Sequence, residues 1–190
     1  MPLNVDNFAA RIATMGLASP NKFEVDISFP NIVGIGEILN LMCETASIAG
    51  RTVQSMLDIQ YGIRREIAYG APQYTPLSLT FLCSESMQEK KLLDQWNNFI
   101  VDAVRPQGAF NVAYYDDYAK NCSLKVTSLA QDGVTENFSI TYKEVYPKSV
   151  QSIQLNHSTQ NTVLRVNAEM QYAFFETDDI RPSTSQPIFT

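Results

Sequence analysis

The sequence predicts a mainly β protein: a small antiparallel β-barrel or sandwich with one packed α-helix and a long hairpin arm. Three observations lead to this prediction. Several short segments alternate apolar and polar residues at a period of two, which is typical of strands with one buried face. Only residues 86–104 carry a long apolar stripe at helical spacing. Residues 52–70 are extended, long and polar, which does not suit the wall of a small monomeric barrel.

The first predicted elements are a helix and two strands. Asp6 is a residue type that caps helices and Gly16 is a stop signal, so we expect a helix within residues 1–16. Residues 22–29 alternate strictly between polar and apolar side chains, which predicts a strand. We expect a second strand over residues 38–47.

The next segment, residues 52–70, is the most informative part of the chain. At about 3.3 Å per residue it would span roughly 50–60 Å if unbroken, so it either folds back near residues 60–62 or projects from the body. Both alternatives leave strand edges that an isolated subunit would have to protect, so we expect copies of the chain to complete one another. The apolar residues expected on one face of this segment are Val53, Leu57, Ile59, Tyr61, Ile63, Ile67 and Tyr69.

A strand over residues 76–83 and the long helix over residues 86–104 follow. Ser86 and Glu89 have the spacing of a capping box, and we expect the helix to stop near Pro106. A stacking platform is the alternative role for the single tryptophan of this helix. The side chains predicted to pack the helix on a sheet are Leu92, Trp96, Phe99 and Ile100.

The second half of the chain has an irregular aromatic insert, residues 108–121, followed by strands. Asp132 and Gly133 give a strong hairpin signal between the first two of these strands. Residues 177–190 are rich in Pro, Ser and Thr, and we expect a flexible tail there. No linker composition interrupts residues 1–190, which predicts a single domain. The predicted strands are 122–130, 134–145, 150–155 and 162–176.

Composition and motifs exclude several function classes. The net charge of −6 argues against a general nucleic-acid binder, which needs a basic surface. No apolar run approaches the ~20 residues of a membrane span, and the N-terminus lacks the features of a signal peptide. The three cysteines are widely spaced, which gives no metal or redox pair and favours a reducing compartment.

The sequence also lacks the signature of an enzyme. His157 is the only histidine, and neither a nucleophile nor an orienting carboxylate accompanies it. The acidic pairs at 116–117 and 178–179 lack the alternating oxygen ligands of a calcium loop. We therefore expect no catalytic residue, no metal site and no cofactor.

One charged cluster has a predicted role, namely Arg64, Arg65 and Glu66 within the arm. Because successive strand residues point to opposite faces, the two arginines cannot contact the same surface. We predict that this cluster, together with Tyr61 and Tyr69, forms a contact between subunits, in which ion pairs fix the register. Ordinary surface charge is the alternative.

Three stretches, taken in order, resemble a known family. Residues 19–27, SPNKFEVDI, are similar to the family's opening strand, and residues 62–70, GIRREIAYG, are similar to its basic hairpin that ends at a glycine. A Tyr-Pro pair at 146–147 precedes a long aromatic strand at 162–176. Over residues 4–176 the chain resembles the tail tube proteins of contractile-tailed bacteriophages, including their tube-initiating relatives in the baseplate.

The resemblance implies a virion tail protein that is assembled in the host cytoplasm. Its hexameric rings, with a continuous inner barrel, would stack into a tube surrounded by sheath and baseplate proteins. The lumen would conduct DNA without sequence-specific binding. The alternatives are a tube initiator or baseplate hub protein, the inner tube of a secretion system and, in other classes, a small-ligand-binding β-barrel or a hydrolase with dispersed acidic residues.

Overall fold

The computed structural model describes residues 5–29, 35–60, 62–102, 111–156, 158 and 162–178. The predictions for Tyr61, His157 and most of the tail fall outside these residues. In chain order the elements are α1 (Val5–Met15), β1 (Phe23–Ser28), α2 (Ile35–Met42), β2 (Cys43–Ala46), β3 (Arg51–Thr52), β4 (Ser55–Gln60), β5 (Ile63–Ala68), β6 (Gln73–Tyr74), β7 (Leu77–Leu82), α3 (Gln88–Ile100), β8 (Val101–Asp102), β9 (Asn111–Val112), α4 (Tyr115–Tyr118), β10 (Ser123–Leu129), β11 (Glu136–Lys143), β12 (Tyr146–Val150), β13 (Arg165–Gln171) and β14 (Phe174–Thr177).

Two four-stranded antiparallel sheets form the body of the molecule, which confirms the mainly β prediction. One sheet has the order β1-β10-β11-β14 and the other β12-β13-β7-β2. Val126 and Ile140 of the first sheet and Leu79 and Ala168 of the second belong to one buried cluster, so the inner faces of the sheets share a core. Neither sheet closes into a barrel within the described residues.

The predicted hairpin between β10 and β11 is present, and Asp132 fixes its turn. The carboxylate Oδ1 of Asp132 accepts hydrogen bonds from the backbone N–H groups of Val134 and Thr135, both at 3.0 Å. These bonds stabilise the charged carboxylate, and together with the Thr135 hydroxyl, which has the largest effect, they lower the pKa of Asp132 to about 2.

The helix α3 lies against β12, β13 and α2. Trp96 is fully buried and stacks on Phe29 with ring centroids 4.5 Å apart. The predicted capping box is wrong: Met87 is the N-cap, and no side chain caps the helix there. Glu89 is buried and instead accepts hydrogen bonds from the backbone N–H and hydroxyl of Ser84, both at 2.9 Å.

The predicted end of this helix is also wrong. α3 stops at Ile100, because Val101 turns to extended geometry and pairs with Val112 in the β8–β9 ladder. A further hydrogen bond, from Ala113 N–H to the Ile100 carbonyl at 2.9 Å, satisfies a carbonyl of the last turn.

The strand predicted over residues 38–47 is wrong in its first half. Residues 35–42 form α2, and the strand begins only at Cys43. Leu39 of α2 is fully buried in the core, and Asn40 binds the neighbouring strand β1, so tertiary contacts select the helix here.

The predicted long final strand is divided between the two sheets, β13 in one and β14 in the other. Tyr172 lies at the break, is buried, and donates its hydroxyl to the Thr75 carbonyl at 3.0 Å. The strand predicted over 150–155 lies earlier, at Tyr146–Val150, with a register shift after Pro147. β14 extends through Thr177, one residue into the predicted tail.

Candidate assembly surface

The segment 52–70 folds back on itself as the hairpin β4–β5, which we call the arm. Six residue pairs join its two strands, from Ser55–Ala68 at the base to Gln60–Ile63 at the tip. Gly62 in the turn has φ of +80°, a conformation that favours glycine. Among the described strands, neither strand of the arm has any further neighbour. Within the described part of the chain, the arm is therefore a two-stranded sheet with both edges open.

The predicted one-sided apolar face of the arm is wrong. Gln60 pairs with Ile63 across the two-residue turn, so even-numbered residues of β4 share a face with odd-numbered residues of β5. Each face of the arm therefore combines apolar with charged side chains. On one face Leu57 lies opposite Glu66 and Ile59 opposite Arg64, and on the other Met56 lies opposite Ile67 and Asp58 opposite Arg65.

Apolar side chains are exposed on both faces of the arm. The exposed fractions of Met56, Leu57, Ile59 and Ile67 lie between 45% and 59%, and Tyr69 just beyond the arm is 58% exposed. Each face of the arm thus exposes apolar side chains beside charged ones.

Three charged side chains follow one another in β5 of the arm. Arg64, Arg65 and Glu66 are exposed, and none of them forms an ion pair with a residue that the structure describes. The two arginines lie on opposite faces, since Arg64 pairs with Ile59 and Arg65 with Asp58. Their predicted contact with another subunit stays a prediction.

The base of the arm is fixed to the core by a cluster of aromatic residues that sequence reasoning missed. The Tyr142 hydroxyl accepts a hydrogen bond from Ala49 N–H at 3.0 Å. The Arg51 guanidinium lies 5.0 Å from the Phe175 ring centroid and 6.0 Å from that of Tyr74. The aromatic content of the final strand was the only signal of this cluster in the sequence. The base of the arm is thus anchored to the core.

Burial disfavours the ionised forms of Tyr142 and Tyr172. It raises the pKa of Tyr172 to about 12, and it also raises the pKa of Tyr142. Both groups therefore remain phenols near neutral pH, so Tyr172 keeps the proton that it donates to the Thr75 carbonyl.

Of the residues predicted to pack the long helix, Trp96 and Ile100 are buried and Leu92 is half-buried. Phe99 is 40% exposed and touches Phe29 only edge to face. The complete burial of Trp96 removes it as a stacking platform.

The described residues offer little chemistry. They contain no group of three His, Cys, Asp or Glu side chains that could hold a metal ion. Burial raises the pKa of the Cys43 and Cys122 thiols to about 12, so both are protonated and poor nucleophiles at neutral pH. Within the same residues, no helix is long and apolar enough to cross a membrane.

Comparison with known proteins agrees with this geometry. A model of the phage tail tube protein family matches residues 18–178. The chain belongs to this family. No curated protein matches the sequence. The resemblance inferred from the sequence is therefore confirmed at the level of the family.

Solved structures show the same fold. A chain of the anti-feeding prophage baseplate aligns with a TM-score of 0.60 and 15% identity, over 85% of this chain and 95% of that one. A chain of an extracellular contractile injection system, in a sheath-tube complex in the extended state, aligns with a TM-score of 0.60 and 12% identity, over 88% and 95%. The chain is thus a tail-tube-like structural protein with the fold of tube and baseplate components.

Proposed function

We propose that this tail tube protein is the repeating subunit of a phage tail tube, in which rings of six copies stack around a common lumen. The observation that supports the proposal most strongly is the arm, a hairpin with open edges and two partly apolar faces on an anchored base. Ring closure removes open edges, as the closure of any barrel does. The number of six copies comes from the family resemblance.

The charge of the chain supports a lumen that conducts DNA. A net charge of −6 supplies few cations for the phosphate backbone, so little counterion release would hold the nucleic acid in place. DNA would then slide along the wall without sequence-specific binding. Sheath proteins around the tube and baseplate proteins at its end are the further partners, in a tail that is assembled in the host cytoplasm.

A small-ligand-binding barrel has less support. Such a barrel needs an empty apolar interior, whereas large side chains of both sheets fill the space between them. Leu77 and Phe81 of β7, Leu124 of β10 and Met170 of β13 are all fully buried there.

Removal of the arm tests the proposal. The backbone N–H of Tyr69 donates to the Gln54 carbonyl at 2.7 Å, so residues 55–68 can be replaced by a two-residue Gly turn without strain on the base. We expect the intact chain to form rings and tubes in negative-stain microscopy and mass photometry, and the shortened chain to stay a folded monomer.

Three other results would change this account. An intact chain that remains strictly monomeric at high concentration contradicts the proposal. Normal assembly of the shortened chain would show that the arm is not needed for assembly. Single rings that never elongate would instead favour a tube initiator in the baseplate.

A further inference from the structure

The strand β1 lies at the edge of its sheet, and α2 runs beside this edge. Ile27 N–H points away from β10 and donates to Asn40 Oδ1 at 2.8 Å. Asn40 Nδ2 donates in turn to Asp26 at 2.9 Å, which fixes the amide. Because backbone groups alternate in direction along a strand, Phe23 and Val25 also present their N–H and C=O groups away from β10.

These outward-facing groups border an acidic groove between β1 and α2, with a cavity volume of about 350 Å³. The groove is lined by Phe23, Glu24, Val25, Glu37 and Leu41, among others, and Leu41 is 83% exposed. Neither Glu24 nor Glu37 forms an ion pair with a described side chain. The groove therefore combines outward-facing backbone groups, the exposed Leu41 side chain and the two negative charges of Glu24 and Glu37.

The outer edge of β5 has the complementary pattern. The hydrogen bond from Tyr69 N–H to the Gln54 carbonyl shows which residues of the arm turn their backbone groups toward the partner strand and which turn them outward. By alternation along the ladder, Arg64 and Glu66 present their backbone groups away from β4. Arg64 and Glu66 are two residues apart, with Arg65 between them. Phe23 and Val25 of β1 have the same spacing, with Glu24 between them.

We propose that the acidic groove receives the outer edge of β5 from a second copy of this chain. The strands pair antiparallel, with Phe23 opposite Glu66 and Val25 opposite Arg64. Glu24 then lies directly opposite Arg65. Directly opposite residues share a face of the sheet, so these two side chains form an ion pair across the interface. The neighbouring Arg64 and Glu37 add charges of opposite sign on the two molecules.

This inference rests on the proposed function, because it assigns the site at which the arm of one subunit meets the next. Main-chain hydrogen bonds of strand addition would supply affinity, and the Glu24–Arg65 pair would fix the register. A shift by one residue would move Arg65 to the opposite face from Glu24.

Charge reversal in the intact chain tests this site. The variants are Glu24→Arg, Arg65→Glu and the double exchange of both. The matched controls are Glu85→Arg and Lys148→Glu, which reverse the charge of exposed side chains outside the groove and the arm. Mass photometry and negative-stain microscopy give the assembled fraction, and circular dichroism verifies the fold.

We expect each single reversal to lower the assembled fraction at least about tenfold, because like charges then face one another in the interface. The double exchange should recover assembly to within about threefold of the unaltered chain, since the ion pair is restored in the opposite sense. Both controls should assemble normally.

The proposal is overturned if Glu24→Arg assembles like the unaltered chain, or if the double exchange is no better than the single variants. Either result leaves the proposed tube intact, since the unaltered chain still assembles. An unaltered chain that does not assemble at all overturns the tube and this site together.

Discussion

Gly36 lies where α2 comes closest to β1, and it illustrates what a single residue position contributes. A Cβ atom at this position would be 2.6 Å from the Ile27 carbonyl oxygen, far inside van der Waals contact. The adjacent hydrogen bond from Ile27 N–H to Asn40 depends on the same close approach. Helix propensity, by contrast, would favour alanine here.

We predict that Gly36→Ala destabilises the protein by about 1–3 kcal/mol, because the helix must move away from the strand. Urea unfolding followed by circular dichroism measures the change. Gly50→Ala is the control: no atom lies within 4 Å of a Cβ there, so its free energy of unfolding should change by less than about 0.5 kcal/mol. Equal effects of the two substitutions would contradict the close approach.

Sequence reasoning at this scale identified residue types better than their partners. The sequence predicts Glu89 as a capping residue, and Glu89 does bind next to the start of α3, yet its partner is Ser84 rather than Ser86. A capping box requires Ser86 to be the N-cap residue of the helix. Met87, in a left-handed conformation, is the N-cap instead, so the spacing of Ser86 and Glu89 does not produce the box.

At the scale of elements, the aromatic cluster at the base of the arm (Tyr74, Tyr142 and Phe175), which we call the aromatic anchor, pre-positions the arm. The β3–β6 ladder, the Tyr142 hydroxyl and the Arg51 guanidinium hold residues on both sides of the arm. Pre-positioning lowers the entropy that is lost when the arm meets a partner. Beyond this base, the backbone pairing between β4 and β5 holds the arm together.

We predict that Tyr142→Phe destabilises the base by about 1 kcal/mol, because the Ala49 N–H loses its acceptor. Hydrogen exchange at Ala49 should become faster, and urea unfolding gives the change in stability. Tyr146→Phe is the control, since no hydrogen bond to the Tyr146 hydroxyl is seen among the described residues. Unchanged exchange at Ala49 in the Tyr142 variant would argue against the anchor.

Elements with strict alternation were predictable, and elements chosen by tertiary contacts were not. β1 and the β10–β11 hairpin follow from alternation and from the turn at Asp132. The helix α2 and the break at Tyr172 do not, because buried contacts of Leu39 and of Tyr172 itself decide them. A count of alternating residues could not predict which side chains share a face of the arm, because the two-residue turn changes the alternation between β4 and β5.

At the scale of the whole molecule, two sheets share one core, and the arm has no further partner strand among the described residues. Its family membership and its fold were both predictable from the order of weak motifs along the sequence. The aromatic anchor and the acidic groove were not, since each brings together residues that are distant in sequence. We therefore propose that neighbouring copies cover the open edges.

A cryo-electron microscopy map of the particles assembled from the purified chain tests this claim most directly. The account predicts rings in which both strands of the arm, β4 and β5, lie within hydrogen-bonding distance of strands from neighbouring copies. It is contradicted if the particles form through other surfaces, with both edges of the arm still facing solvent.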